Sequence, residues 1–257
     1  MSNLEVQHFQ YLSQQGNDYK VNRKNEWSTD SILYKEDIIK CMNFSYNMAF
    51  KPKGHHRNSR TNSSVKRSDE NIFTDALRGK FAEFGFYNYM KMKGYPISPP
   101  NIDVYGKGKW DNGDFEIGES TISIKSTKEK GHLLLLEEND YDLNGIYKPN
   151  IGRDDKLTSE YIFLVKVESK FLNEFYKKKL DSPEKILQSI LQSIDSDSVK
   201  INIAGYITHD DFVNKIIGKN YILPKDAMLY GRIKMQVSNY YVQAGDLRDI
   251  IKEPIKY

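Results

Sequence analysis

The chain has 257 residues, of which 39% are hydrophobic and 28% charged, which excludes a wholly disordered polymer and allows a sizeable core. A formal charge of +3 does not single out a polyanion-binding protein, so the placement of charge matters more than its sum. Cys41 is the one cysteine, which rules out an intrachain disulfide and fits a reducing cytoplasmic location. The opening MSNLEVQHFQYLSQQG has no basic stretch followed by an apolar run, so no secretory signal is expected. No run approaches the about 20 apolar residues that a membrane-crossing helix needs.

Residues 1–50 are polar and mixed, with a helix expected from Lys35 to Met48. The next stretch, KPKGHHRNSRTNSSVKR, carries Lys51, Lys53, Arg57, Arg60, Lys66 and Arg67 and no acid. Gly, Asn and Ser make it a loop. It is either a solvated linker or an arm that displaces counterions from phosphates. Ser68 to Lys93 reads as a helix, with Ser68, Asp69 and Glu70 suited to its N-terminus and Gly94 and Pro96 ending it. One face carries Ile72, Ala76, Gly79, Glu83, Phe86 and Met90. Glu83 is the exception on that face, and a buried carboxylate needs a cation, a metal ion or a strong donor. A structural ion pair with a residue such as Arg78 is the plain alternative.

After a loop over 96–113 comes GDFEIGESTISIKST, Gly113 to Thr127. Two alternating segments, Asp114 to Ile117 and Thr121 to Ser126, predict a hairpin turning at Gly118, Glu119 and Ser120. An even turn puts Asp114, Glu116, Ser123 and Lys125 on one face and Phe115, Ile117, Ile122 and Ile124 on the other. A bulge would break that parity. Carboxylate oxygens suit Mg²⁺, and an adjacent lysine can steady charge on a phosphate. A salt-bridged exposed hairpin face is the bland reading.

Further along, Leu133 to Leu136 is a short apolar run of open type, and residues 137–159 read as a long polar loop. Tyr161 to Val167 and Ile201 to Ile207 read as strands, and 183–194 as an amphipathic helix. The Asp210-Asp211 pair reads as the start of a short helix. One or two strands are expected over Met228 to Val242 and a closing helix over Gly245 to Lys252. The order predicts one α/β domain over 1–257: a mixed β-sheet core flanked by helices. Its parts are an N-terminal region (1–67), a core (68–168) and a C-terminal part (169–257). None of the five histidines lies in a zinc-binding arrangement; His132 reads as a surface histidine or a phosphate contact.

The helix TDALRGKFAEFGFYNYMKMKG, then GDFEIG, then SIKST, in that order, resembles the PD-(D/E)XK nuclease superfamily and, within it, type II restriction endonucleases. The resemblance covers roughly residues 70–168. It implies a restriction-endonuclease-like mixed sheet, Mg²⁺-dependent hydrolysis of double-stranded DNA, and a homodimer. Carried over, Asp114 is the metal-binding aspartate, Lys125 the catalytic lysine, Glu83 the helix glutamate, and the Ile124 carbonyl a further metal ligand. Ser123 stands where the pattern has an acid. Glu83 and Glu116 rank level as replacements, with Glu137 third. Ser126, Thr127, Lys128 and the basic arm are expected against DNA, with base contacts from 137–159 or 205–241. The alternatives are an inactive DNA-binding protein on the same fold, or a repair or phage-defence nuclease without site specificity.

Overall fold

The computed structural model describes residues 7–51, 67–103, 113–150, 158–175, 188, 191–192, 194 and 198–257. Three strands unannounced by the polar N-terminal sequence come first: β1 (Ser13–Gln15), β2 (Asp18–Lys20) and β3 (Ser31–Ile32). Helices α1 (Lys35–Phe50) and α2 (Asp69–Met92) follow, then the hairpin β4 (Phe115–Ile117) and β5 (Ser120–Lys128), then β6 (Leu133–Glu137). The long strands β7 (Tyr161–Ser169) and β8 (Val199–Thr208) flank a short α3 (Lys170–Phe175). A π-helical segment, Asp211–Ile217, leads to β9 (Ile222–Leu223), β10 (Met228–Leu229), β11 (Ile233–Lys234) and β12 (Asn239–Gln243). The fold is mixed α/β.

The main sheet has the order β3-β8-β7-β5-β4, with β5 and β7 parallel and the other pairs antiparallel. Alternation along β7 divides the core. Phe163, Val165 and Val167 join one cluster with α1 and α2. Ile162 and Leu164 join a second cluster with β6, β12 and the π-helical segment. A smaller antiparallel sheet, β6-β12-β9, belongs to that second layer.

Helix α2 begins and ends where its sequence dictates. Ser68 Oγ accepts the Asn71 N–H at 3.3 Å, satisfying a donor that the first turn leaves open. Gly94 adopts φ +85°, and Gly94 N–H and Tyr95 N–H bond the carbonyls of Lys91 and Met90. That pair of bonds is a Schellman closure, and the glycine supplies the left-handed residue. Buried residues surround most of α2 because it is clamped between α1 and the sheet. Phe86 meets Phe115 and Phe163 at ring-centroid distances of 5.4 and 4.8 Å.

Two expectations need correction. Gly245 to Lys252 is no helix: a short 3₁₀ turn over Ala244–Asp246 is followed by an irregular segment that Arg248 ties to β8. Met228 to Val242 holds three strands rather than one or two. Most of 183–194 lies outside the described residues; Gln188, Leu191 and Gln192 are helical. No helix among the described residues is long and apolar enough to cross a membrane.

Candidate functional site

The hairpin register pairs Phe115 with Ile122, Glu116 with Thr121 and Ile117 with Ser120. Gly118 and Glu119 are therefore the two-residue turn. Gly118 has φ +60° and Glu119 does not enter that region, the pattern of a type II′ turn. Phe115, Ile117, Ile122 and Ile124 face the α2 layer. Glu116, Thr121, Ser123 and Lys125 take the opposite face by alternation.

Asp114 departs from strict alternation. It sits at a bend just before β4, and its N–H donates to the Ile122 carbonyl at 3.0 Å. Its carboxylate turns along the edge of β5: Oδ2 accepts the Ile124 N–H at 2.5 Å and lies 3.5 Å from Ser123 Oγ. A strand residue points its N–H and C=O to the same edge, so the Ile124 carbonyl faces this edge too, past the end of β4. Asp114 and Ile124 thus place hard oxygen atoms on the same edge of β5, and Lys125 is the next residue on that strand. Its partly buried ammonium makes no ion pair among the described residues. Glu116 is exposed on the face that carries Lys125.

Glu83 is committed to a different neighbour. Its carboxylate holds Lys80 Nζ at 2.5 Å, with both side chains about one-tenth exposed (12% and 11%). The Lys80 ammonium also lies 4.8 Å over the Phe44 ring of α1. Burial pushes the Cys41 thiol up, and the nearby Glu83 charge adds to that shift. The structure therefore sets Glu83 against α1, in an ion pair of its own. Arg78, the partner considered from sequence, pairs with Asp75 at 3.3 Å instead. Glu137 ends β6 opposite Asn239 in the smaller sheet. Among the described residues no three His, Cys, Asp or Glu side chains form a group able to hold a metal. The oxygens of Asp114 and Ile124 still fit Mg²⁺, which takes one or two carboxylates plus water and substrate oxygens.

Among the described residues, those expected against DNA lie on β5 and at the ends of α1 and α2. Ser126 shares the α2-facing side with Ile124, whereas Thr127 lies on the side of Lys125. Lys128 is exposed at the end of β5, where it lines a cleft of about 250 Å³ with Arg78, Lys130 and Glu168. Lys51 is exposed, its Nζ 5.4 Å over the Tyr46 ring. Arg67 binds Asp75 at 2.6 Å. Lys53, Arg57, Arg60 and Lys66 lie outside the described residues. Of the long loop, the part before residue 151 is tied down: Tyr141 packs edge-on to Phe212 at 5.0 Å and bridges to Tyr147. Asn239, Tyr240 and Tyr241 are buried in β12, which makes them core rather than DNA-facing.

Three polar groups on this side of the sheet were given no site role by the sequence. Glu160 accepts the Thr121 N–H at 2.6 Å and the Thr121 hydroxyl, closing the start of β5. Lys166, 1% exposed, lies between Thr127 and Asn202 and reaches His132 Nδ1 at 3.2 Å. Burial brings Lys166 down to about 8 against an opposing pull from Glu129. Burial, then Lys166 and Lys24, bring His132 down to about 4, so at neutral pH the ring accepts and the ammonium donates. His132, partly exposed, thus accepts a hydrogen bond from a buried lysine. Lysine inside the apolar run YIFLVKV was the signal, the same oddity that marks Lys125. The third is Asp211, gripped by Arg248 at 2.6 and 3.1 Å and by Lys215 at 2.7 Å. Burial alone would raise the Asp211 carboxyl, but the bonds from Arg248 and Lys215 outweigh it and hold it low.

No protein-family model matches the chain, and neither a curated protein nor a solved structure matches it.

Proposed function

We propose that the chain is a Mg²⁺-dependent nuclease that hydrolyses phosphodiester bonds of double-stranded DNA, as a type II restriction enzyme does, on a restriction-endonuclease-like form of the mixed sheet. The observation that carries the reading is the Asp114 carboxylate, held at the β5 edge beside the Ile124 carbonyl, with the Lys125 ammonium on the same strand. Sequence order supports it: helix, hairpin and S-I-K follow one another as in the nucleases the chain resembles.

The Ile124 N–H orients Asp114 through Oδ2, and Oδ1 makes no hydrogen bond among the described residues. That oxygen and the Ile124 carbonyl would hold the cation. When bound, Mg²⁺ polarises the phosphate and lowers the pKa of a bound water. Lys125 donates to a phosphate oxygen or to the attacking water and offsets charge growing in the transition state. Glu116, exposed on the face of Lys125, is a carboxylate that would replace the acid absent at Ser123. Glu83 would first have to leave Lys80.

That last point favours a second reading, a DNA-binding protein that has lost cleavage. One experiment separates the two. Purified protein is incubated with plasmid and phage DNA and Mg²⁺, beside Asp114→Ala and Lys125→Ala. Wild type is expected to cut, with each variant slower by about 10²-fold or more. Discrete fragments mean site-specific cutting; a smear means a nuclease without site preference. Salt-dependent DNA binding with no Mg²⁺-stimulated cutting supports the second reading and ends the first.

A further inference from the structure

We infer that residues 249–257 form a strap whose role is to fix the β4–β5 turn, and through it Asp114, with Arg248, Gly118 and Ser120 as positioning residues. The inference rests on the nuclease reading for its purpose but not for its mechanics.

The strap is anchored at β8. Arg248 exchanges backbone hydrogen bonds with Tyr206 at 2.9 and 3.0 Å. Gly205 has φ +130°, and a Cβ there would meet the Arg248 carbonyl oxygen at 2.5 Å, so only glycine admits this approach. The Arg248 guanidinium joins Asp211 to Glu253 Oε2, the latter at 2.5 Å. The Glu253 carbonyl accepts Tyr206 OH at 2.7 Å, and Ile255 is buried in the α2-side core.

From that anchor the segment crosses the start of β7 and ends on the hairpin. Lys256 N–H donates to Tyr161 OH at 3.2 Å. The Lys256 carbonyl accepts Ser120 Oγ at 3.1 Å. The Tyr257 backbone lies 3.0 Å from where a Cβ on Gly118 would stand, and its ring meets Tyr95 at 5.4 Å. The turn is thus held from outside by a segment locked to a distant strand.

The need for such a clamp follows from β4. It has three residues and, among the described residues, pairs only with β5, at the sheet edge. A short two-stranded ribbon is marginal by itself. Asp114 hangs at its open end, so any slip of the ribbon moves the carboxylate away from Ile124.

The Ile124 amide reports on this directly, because Asp114 is its acceptor. Residue-resolved hydrogen exchange is compared for wild type, Ser120→Ala, Gly118→Ala and a chain lacking residues 254–257. Exchange at Ile122 and Ile124 is expected to quicken at least about tenfold in the shortened chain, with Phe163 to Val167 unchanged. In parallel, the Mg²⁺ concentration for half-maximal cutting is expected to rise about tenfold while metal-free DNA affinity stays constant. Unchanged exchange at Ile124, or equal acceleration across the whole sheet, overturns the strap as a positioning device. A wild type that cuts nothing removes the nuclease reading and leaves exchange to decide the strap.

Discussion

The two faces of the main sheet are built on different principles. The α1–α2 face is closed mainly by apolar side chains, among them Phe81, Phe86, Met42 and Leu77, which are fully buried. The opposite face also buries Lys166, Asn202, Asp211, Gln243, Asp246 and Arg248. Each of these is satisfied by a segment far away in the chain. Gln243 Oε1 takes the N–H groups of Asn22 and Arg23, and Asp246 takes the Gln10 N–H. Apolar burial is non-directional and tolerates small shifts, whereas a buried polar group is costly unless its own partner is in place. One layer is therefore sensitive to shape, and the other to the loss of a single atom.

The largest expected effect breaks the polar layer at its most connected point. Arg248→Ala leaves the Asp211 carboxylate, 1% exposed, without its bidentate partner. Breaking such a buried pair costs about 3–5 kcal/mol. Thermal or urea unfolding should show that loss, and an apolar replacement of both residues should recover much of it.

Next comes pH. The Lys166 pKa lies at about 8 in the fold against an ordinary 10.5. Between those values the unfolded chain binds more protons than the folded one, so stability rises with pH across that window and is lost as pH falls through about 8. A tenfold difference in proton affinity is worth about 1.4 kcal/mol, which sets an expected gain of about 2–3 kcal/mol from about pH 7 to about pH 10. Urea midpoints against pH would show this slope, and Lys166→Met should flatten it. His132 acts with the same sign between 6.5 and about 4.

The smallest effect probes the apolar layer by shape alone. A Cβ on Gly85 would stand 2.2 Å from Ile201 Cγ1, so Gly85→Ala overpacks α2 against β8 and should cost about 1–3 kcal/mol. Gly79, on the same helix, has nothing within 4 Å of such a Cβ. There alanine should stabilise by roughly 0.5–1 kcal/mol, through helix propensity. If Gly85→Ala proved harmless while Arg248→Ala did not, the apolar layer would not be the shape-sensitive one and that half of the contrast would fall. If both proved harmless, it would fail.

Elements with local signals were legible. Ser68 and Gly94 mark the ends of α2, and Gly118 marks the hairpin turn, because caps and turns are short-range chemistry. Tyr161 to Val167 and Ile201 to Ile207 declare strands by their composition. The β1, β2 and β3 strands were not legible, since two- and three-residue strands in polar sequence exist only through their neighbours. In the candidate site, pattern singled out Asp114, Lys125 and Glu83, but it did not show that Lys80 is the cation Glu83 holds.

By itself the sequence determined which side chains share a face of α2, β5 or β7, because backbone period is a property of consecutive residues. Only the tertiary structure decided what each face meets: Lys80 for Glu83, the Ile124 amide for Asp114, and Asp211 for Arg248. Those choices depend on long-range packing and on desolvation, which a charge feels only once the surrounding chain has closed over it.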